Sequence, residues 1–177
     1  MPDSNLVVIY GPPLSGKSSV AWELARRMGG KSAIVSGDGL LGGAIAVPDI
    51  DPLAELDMVA IQIKLLTANY LKNRYHAVVE APFFYERDGD LYSFEPDVDQ
   101  LLALMRQLTR RALMVRLDAP AEILTQRAEA AGRSSEVGAI LRLKDAYKAR
   151  YSDRFMHFDT SRESVDQIVR EILEHLA

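Results

Sequence analysis

The sequence predicts an α/β fold, a three-layer sandwich around a five-stranded parallel sheet. Two observations carry this. Short continuous apolar runs alternate with apolar stripes at helical spacing, and cap or turn residues stand at the joins. The runs at 6–10, 32–36, 76–80 and 112–118, with a shorter one at 155–158, read as strands covered on both faces. Val20, Ala21, Leu24, Ala25 and Met28 share one helical face, and Gly29-Gly30 ends that helix. The stretch after the second strand, with Gly37, Gly39, Gly42 and Gly43, reads as a loop. Asp51-Pro52 is a cap followed by a first-turn proline. It opens a long helix whose apolar face is Leu56, Val59, Ala60, Ile63, Leu66, Thr67 and Tyr70. Pro96 opens a helix with Val98, Leu101, Leu102, Met105 and Leu108 on one side, Pro120 starts another, and 135–151 forms the next. Ser164 with Gln167 makes a capping box for a last helix striped by Val165, Ile168, Val169, Ile172, Leu173 and Leu176. In such a sheet, ligands bind beyond the carboxyl ends of the strands, just after positions 10, 36, 80, 118 and 158.

The composition fits a globular chain: 177 residues, 48% hydrophobic and 26% charged. Residues 1–177 read as one domain. No cysteine is present, which excludes disulfides and thiolate chemistry, and three scattered histidines argue against a zinc site. The net charge of −4 gives no broad grip on nucleic acid. No apolar run reaches the roughly 18 residues of a membrane helix. The expectation is a cytoplasmic protein that engages neither membrane nor nucleic acid.

The first strand end carries Gly11-Pro12-Pro13-Leu14-Ser15-Gly16-Lys17-Ser18, followed by Ser19. This is G-x-x-x-x-G-K-S between a strand and a helix. Glycines let the backbone curl so that successive N–H groups face one anion, and the helix start adds its positive end. Lys17 then supplies a mobile charge for the β- and γ-phosphates, and Ser18 a hydroxyl for Mg²⁺. Residues 11–19 are therefore the expected cofactor-binding segment for ATP.

That motif resembles the phosphate loop of P-loop nucleoside, nucleotide and small-molecule kinases, the adenylate-kinase-like group. Leu14 departs from it, since many members carry glycine there. The resemblance implies P-loop kinase topology, ATP with Mg²⁺, and a hydroxyl-bearing acceptor.

The second and third strand ends add carboxylates. A kinase acting on a hydroxyl needs a carboxylate to orient the attacking oxygen and take its proton. Asp38, in Val35-Ser36-Gly37-Asp38-Gly39, is the candidate. Relatives such as chloramphenicol phosphotransferase and the zeta-toxin type are similar, with an acidic residue at this position. A glycine-rich turn would explain the same residue. Glu80 ends an apolar strand beside the phosphate loop, as a Walker B carboxylate does, and would hold Mg²⁺ together with Ser18. Phe83, Phe84, Tyr85, Tyr92 and Phe94 then cluster in a short stretch with Arg87. They read either as a stacking platform for a planar acceptor or as a small satellite core. Phe83, Phe84, Tyr85 and Arg87, with Asp38, are the expected acceptor contacts.

Asp118-Ala119-Pro120, a helix, Arg127 and Gly132-Arg133 resemble the lid entry of the same kinases. The resemblance places Arg127 on the nucleotide base and Arg133 on the moving phosphoryl group, with a short lid near 127–136. Arg142 and Arg150 lie on the following helix; some relatives use an arginine there toward the phosphates, and the spacing does not decide between the two. His76 and His157 read as structural. No N-K-x-D guanine signature occurs.

The reading is an ATP-dependent phosphotransferase moving the γ-phosphoryl group to a hydroxyl of a nucleoside, antibiotic or sugar-like metabolite. Lys17, Asp38 and Arg133 are its expected catalytic residues. The absence of basic residues from 37–50 favours a neutral acceptor. The alternatives are a nucleoside monophosphate kinase and a non-catalytic ATP-binding regulatory module.

Overall fold

In the computed structural model, residues 3–43, 52–81, 84–87, 89–93, 100–103, 105–149 and 156–177 are described. The chain begins with β1 (Asn5–Tyr10), α1 (Lys17–Arg27), β2 (Ser32–Ser36), α2 (Gly37–Gly43) and α3 (Pro52–Lys72). It continues with β3 (His76–Glu80), β4 (Phe84–Arg87), β5 (Asp90–Ser93) and β6 (Arg111–Asp118). Then come α4 (Ala121–Ala130), a 3₁₀ turn (Ser134–Glu136), α5 (Val137–Ala149), β7 (Met156–Asp159) and α6 (Val165–Leu176).

Five strands form a parallel sheet in the order β2-β3-β1-β6-β7. Their carboxyl ends share one edge, so Tyr10, Ser36, Glu80, Asp118 and Asp159 all terminate there. The apolar run of β1 follows from its central place, every residue being buried. Its side chains alternate between two core layers. Leu6, Val8 and Tyr10 pack with Val59, Ile63, Ala77 and Val79 under α3. Val7 and Ile9 pack with Val20, Leu24, Val115, Ile168 and Ile172 under α1 and α6. Each fully buried aliphatic side chain in these layers stabilises the fold by about 1.5–3 kcal/mol. The capping box on α6 is present, with Ser164 accepting from the Gln167 N–H and Gln167 from the Ser164 N–H. Such a cap contributes about 1 kcal/mol.

The structure departs from the sequence expectation in four places. Residues 37–43 are helical rather than a loop, because the Ser36 hydroxyl accepts the Gly39 N–H at 3.2 Å and organises the first turn. The stretch beyond Phe83 contains an antiparallel hairpin, β4 pairing with β5, instead of an unstructured aromatic loop. The last strand is shifted by one residue, to 156–159. Leu66, expected on the core face of α3, is 37% exposed, the buried side being Val59, Ala60, Ile63, Thr67 and Leu71. Asp51 and the start of the Pro96 helix lie outside the described residues. Among those described, no helix is long and apolar enough to cross a membrane.

Candidate active site

The phosphate loop leaves β1 where backbones approach closely. A Cβ at Gly11, whose φ is +150°, would stand 2.0 Å from the Leu117 carbonyl oxygen, so only glycine fits beside β6. Leu14 occupies the left-handed region at φ 64°, where an L side chain is strained and where related loops carry glycine. Gly16, at φ 92°, is the N-cap residue of α1 and turns the chain into that helix. Pro12 contributes its carbonyl, which accepts from the Lys17 ammonium at 3.1 Å and from the Ser15 N–H at 3.3 Å. Pro13, Leu14, Lys17, Ser18 and Ser19 line a cavity of about 800 Å³ at the carboxyl edge of the sheet.

Lys17 is buried, and burial lowers its pKa. Asp38 and Glu80 act in the opposite direction, and Arg133 reinforces the lowering. Asp38, Glu80 and Arg133 are thus all close enough to Lys17 to act on its charge. A desolvated ammonium facing that cavity is a strong partner for phosphate, because no water competes for it.

Glu80 is buried and ties three elements together. Its carboxylate accepts from the Ser18 hydroxyl at 3.1 Å and from the Ser36 hydroxyl at 2.7 Å. Register explains this, since Ser36 lies opposite Glu80 in the β2–β3 ladder. Two hydroxyls and a carboxylate form a hard oxygen set, the donor chemistry that Mg²⁺ takes. Among the described residues, no cluster of three or more His, Cys, Asp or Glu offers a larger metal cage. A cation here would draw its remaining ligands from phosphate and water.

Asp38 sits in the first turn of α2, exposed, and lines the same cavity. Phe84 is buried against Tyr147, with ring centroids 4.9 Å apart and planes at 86°, and also reaches the cavity wall. It therefore serves both readings of the aromatic cluster. Phe83 lies outside the described residues. Tyr85 and Arg87 belong to β4, and nothing further is described of them.

The two lid arginines both line the cavity, and each is engaged by protein groups. Arg127 spends its guanidinium on the protein, donating to the Leu14 carbonyl at 3.0 Å, the Thr160 hydroxyl at 2.9 Å and the Thr160 carbonyl at 2.8 Å. Arg133 lines the cavity but pairs with Glu136 at 2.5 Å rather than pointing free into it. The i, i+3 spacing across the 3₁₀ turn explains the pairing. Arg142 does not face the phosphate loop either; it pairs with Glu86 of β4. His76 accepts the Asn5 N–H at 3.0 Å, a structural role, and burial lowers its pKa.

Sequence reasoning missed Thr160, Ser36, Glu86 and the Lys144–Asp118 pair. Lys144 reaches Asp118 at 2.7 Å and pins α5 to the end of β6, while Asp118 also accepts the Ala119 N–H at 2.8 Å. Ser36, preceding Gly37-Asp38, was visible as a strand-end hydroxyl. The other contacts join residues far apart in sequence and left no local signal.

Comparison with known proteins agrees with this geometry. No curated protein sequence matches the chain. Among solved structures, a gluconokinase from Sinorhizobium meliloti 1021 is similar at 22% identity, covering 99% of this chain and 94% of that one, with a TM-score of 0.61. The Mycobacterium tuberculosis APS kinase in complex with AMPPNP and APS shares 15% identity over 99% of both chains, with a TM-score of 0.66. The Acinetobacter baumannii shikimate kinase in complex with shikimate shares 14% over 99% of this chain and 94% of that one, at 0.61. At these identities the likeness speaks for the fold, which is that of P-loop kinases. The family model described as "AAA domain" matches residues 6–154, a span that holds the phosphate loop, Asp38, Glu80 and both lid arginines. The chain belongs to this AAA-domain family of P-loop proteins.

Proposed function

We propose that the protein is a single-domain, ATP-dependent phosphotransferase that moves the γ-phosphoryl group to a hydroxyl of a small acceptor. One observation carries the reading: Lys17, Ser18, Asp38 and Arg133 line a single cavity at the carboxyl edge of the sheet. Charge-neutralising groups and one exposed carboxylate thus share the space where the reacting atoms would meet.

In this reading the backbone N–H groups of 11–19 cradle the phosphates, and the face of Arg127 receives the base. Mg²⁺, held through Ser18 and Glu80, would neutralise charge on the β- and γ-phosphates. Asp38 orients the acceptor hydroxyl and takes its proton. A bond forms from that oxygen to the γ-phosphorus, the bond from the γ-phosphorus to the β–γ bridging oxygen breaks, and ADP leaves. Lys17 and Arg133 stabilise charge on the group in transit. Arg133 exchanges Glu136 for phosphate on the way, a short swing within one lid turn.

The test is ADP release from MgATP with a panel of nucleosides, nucleotides, sugars and hydroxylated antibiotics, using Asp38→Asn as control. Acceptor-stimulated release that falls by about 10²–10⁴ in Asp38→Asn supports the role of the carboxylate. Stimulation unaffected by Asp38→Asn removes Asp38 from the mechanism. Tight ATP binding that no acceptor stimulates favours the regulatory module.

A further inference from the structure

The far side of the cavity from the phosphate loop has a charge pattern that the transfer chemistry does not use. Its wall is built by the β4–β5 hairpin docked on α5. Phe84 stacks edge-on against Tyr147, and the Tyr147 hydroxyl accepts from the Phe84 N–H at 3.4 Å. One residue pair along, Glu86 lines the cavity with its side chain only 12% exposed, and Arg142, at 63%, closes over it from the outside. The pair is two-pronged: Arg142 Nε donates to Oε2 at 2.8 Å, and Nη2 donates to Oε1. Arg142 holds the Glu86 carboxyl below the usual carboxylate range, so it is charged at neutral pH.

The cations of the cavity are already engaged. Among the described residues that line it, Lys17 serves the phosphate loop, Arg127 is bonded to Leu14 and Thr160, and Arg133 is bonded to Glu136, while Arg142, outside the lining, is bonded to Glu86. Asp38, Glu86 and Glu136 line the same cavity. Once a nucleotide draws Arg133 to its phosphates, Glu136 is released and the acceptor side gains a further negative charge. Among the described residues, an anionic acceptor at this wall would meet the Glu86 carboxylate first, and Arg142 behind it is held in a bidentate pair that is costly to break. A hydroxyl or ammonium group, by contrast, finds acceptor oxygens already oriented.

Resting on the phosphotransferase reading above, we propose that the acceptor is a hydroxyl-bearing molecule without negative charge, neutral or cationic, and that Glu86 is the residue that enforces this. Glu86 accepts from the acceptor's hydroxyl or amino groups and, by occupying Arg142, denies that cation to phosphate or carboxylate groups.

The test is calorimetric and needs no knowledge of the natural acceptor. The protein is first loaded with Mg²⁺ and AMPPNP, so that the phosphate loop is filled, and then titrated with inorganic phosphate and with AMP. Wild type is expected to bind neither at millimolar concentration. Glu86→Gln frees Arg142 and is expected to gain affinity for both by about tenfold or more, and adding Arg142→Gln to it should remove the gain. AMPPNP affinity measured in the first step is the folding control for each variant. Binding of phosphate or AMP by loaded wild type overturns the proposal. So does a Glu86→Gln protein that takes AMPPNP normally but gains nothing. Failure of wild type to take AMPPNP is a separate result, which overturns the nucleotide reading and this inference with it.

Discussion

The phosphate side and the acceptor side of the cavity are built by different means. On the phosphate side, backbone does the work. Gly11 is pressed against Leu117, Gly16 turns into α1, and Pro12 holds Lys17, all within one short segment anchored on the most buried strand. Glu80, a long-range element, is delivered by the adjacent strand β3. On the acceptor side, side-chain pairs do the work: Glu86 with Arg142, Arg133 with Glu136, and Phe84 with Tyr147. These join hairpin, lid and α5. In the proposed reading, the half set by backbone geometry serves one invariant ligand, the polyphosphate. A site half set by exchangeable pairs can be retuned by single substitutions without disturbing the fold.

Substitutions that strike the two sides test this contrast. The largest effect is expected at Lys17. Lys17→Ala removes a buried charge that no neighbour replaces, and turnover should fall by on the order of 10²–10³ or more while the fold survives. Steady-state ADP release with circular dichroism as control checks it; an active Lys17→Ala protein would sink the mechanism. A smaller effect is expected where the two sides meet, at Thr160. Its hydroxyl donates to the Asp118 carbonyl at 3.1 Å and accepts from Arg127 at 2.9 Å, so it ties the guanidinium to the end of β6. Thr160→Val keeps the shape and loses both bonds. ADP affinity should fall roughly two- to tenfold, while pyrophosphate affinity changes less than twofold. Equal losses for both ligands would mean that Thr160 supports the phosphate loop and not the base.

The same division explains what was legible in the sequence. The loop from Gly11 to Ser18 is local, and its spacing alone states its chemistry. Glu80 and Asp38 were legible because parallel strands end at one edge, so position at a strand end stands in for position in space. α2 was hidden because Gly37, Gly39, Gly42 and Gly43 are poor helix formers; the turn is organised by the Ser36 hydroxyl instead. The hairpin had a signal that was passed over, Asp88-Gly89 between two short strand-like runs. The partners of Arg127 and Arg142 were beyond reach, since Thr160 lies 33 residues from Arg127 and Glu86 lies 56 residues from Arg142. Nothing local distinguishes an arginine that will face phosphate from one that will be held by a carboxylate.

The most direct test of the central claim is where the γ-phosphoryl group goes. The protein would be incubated with Mg²⁺, ATP labelled in the γ-phosphate and a small-molecule extract of its source cells, and the labelled products separated by charge and mass. The account predicts label in an organic phosphate ester, absent with Lys17→Ala and strongly reduced with Asp38→Asn, whose parent acceptor is neutral or cationic. Label that stays in ATP, or appears only as inorganic phosphate, would contradict it.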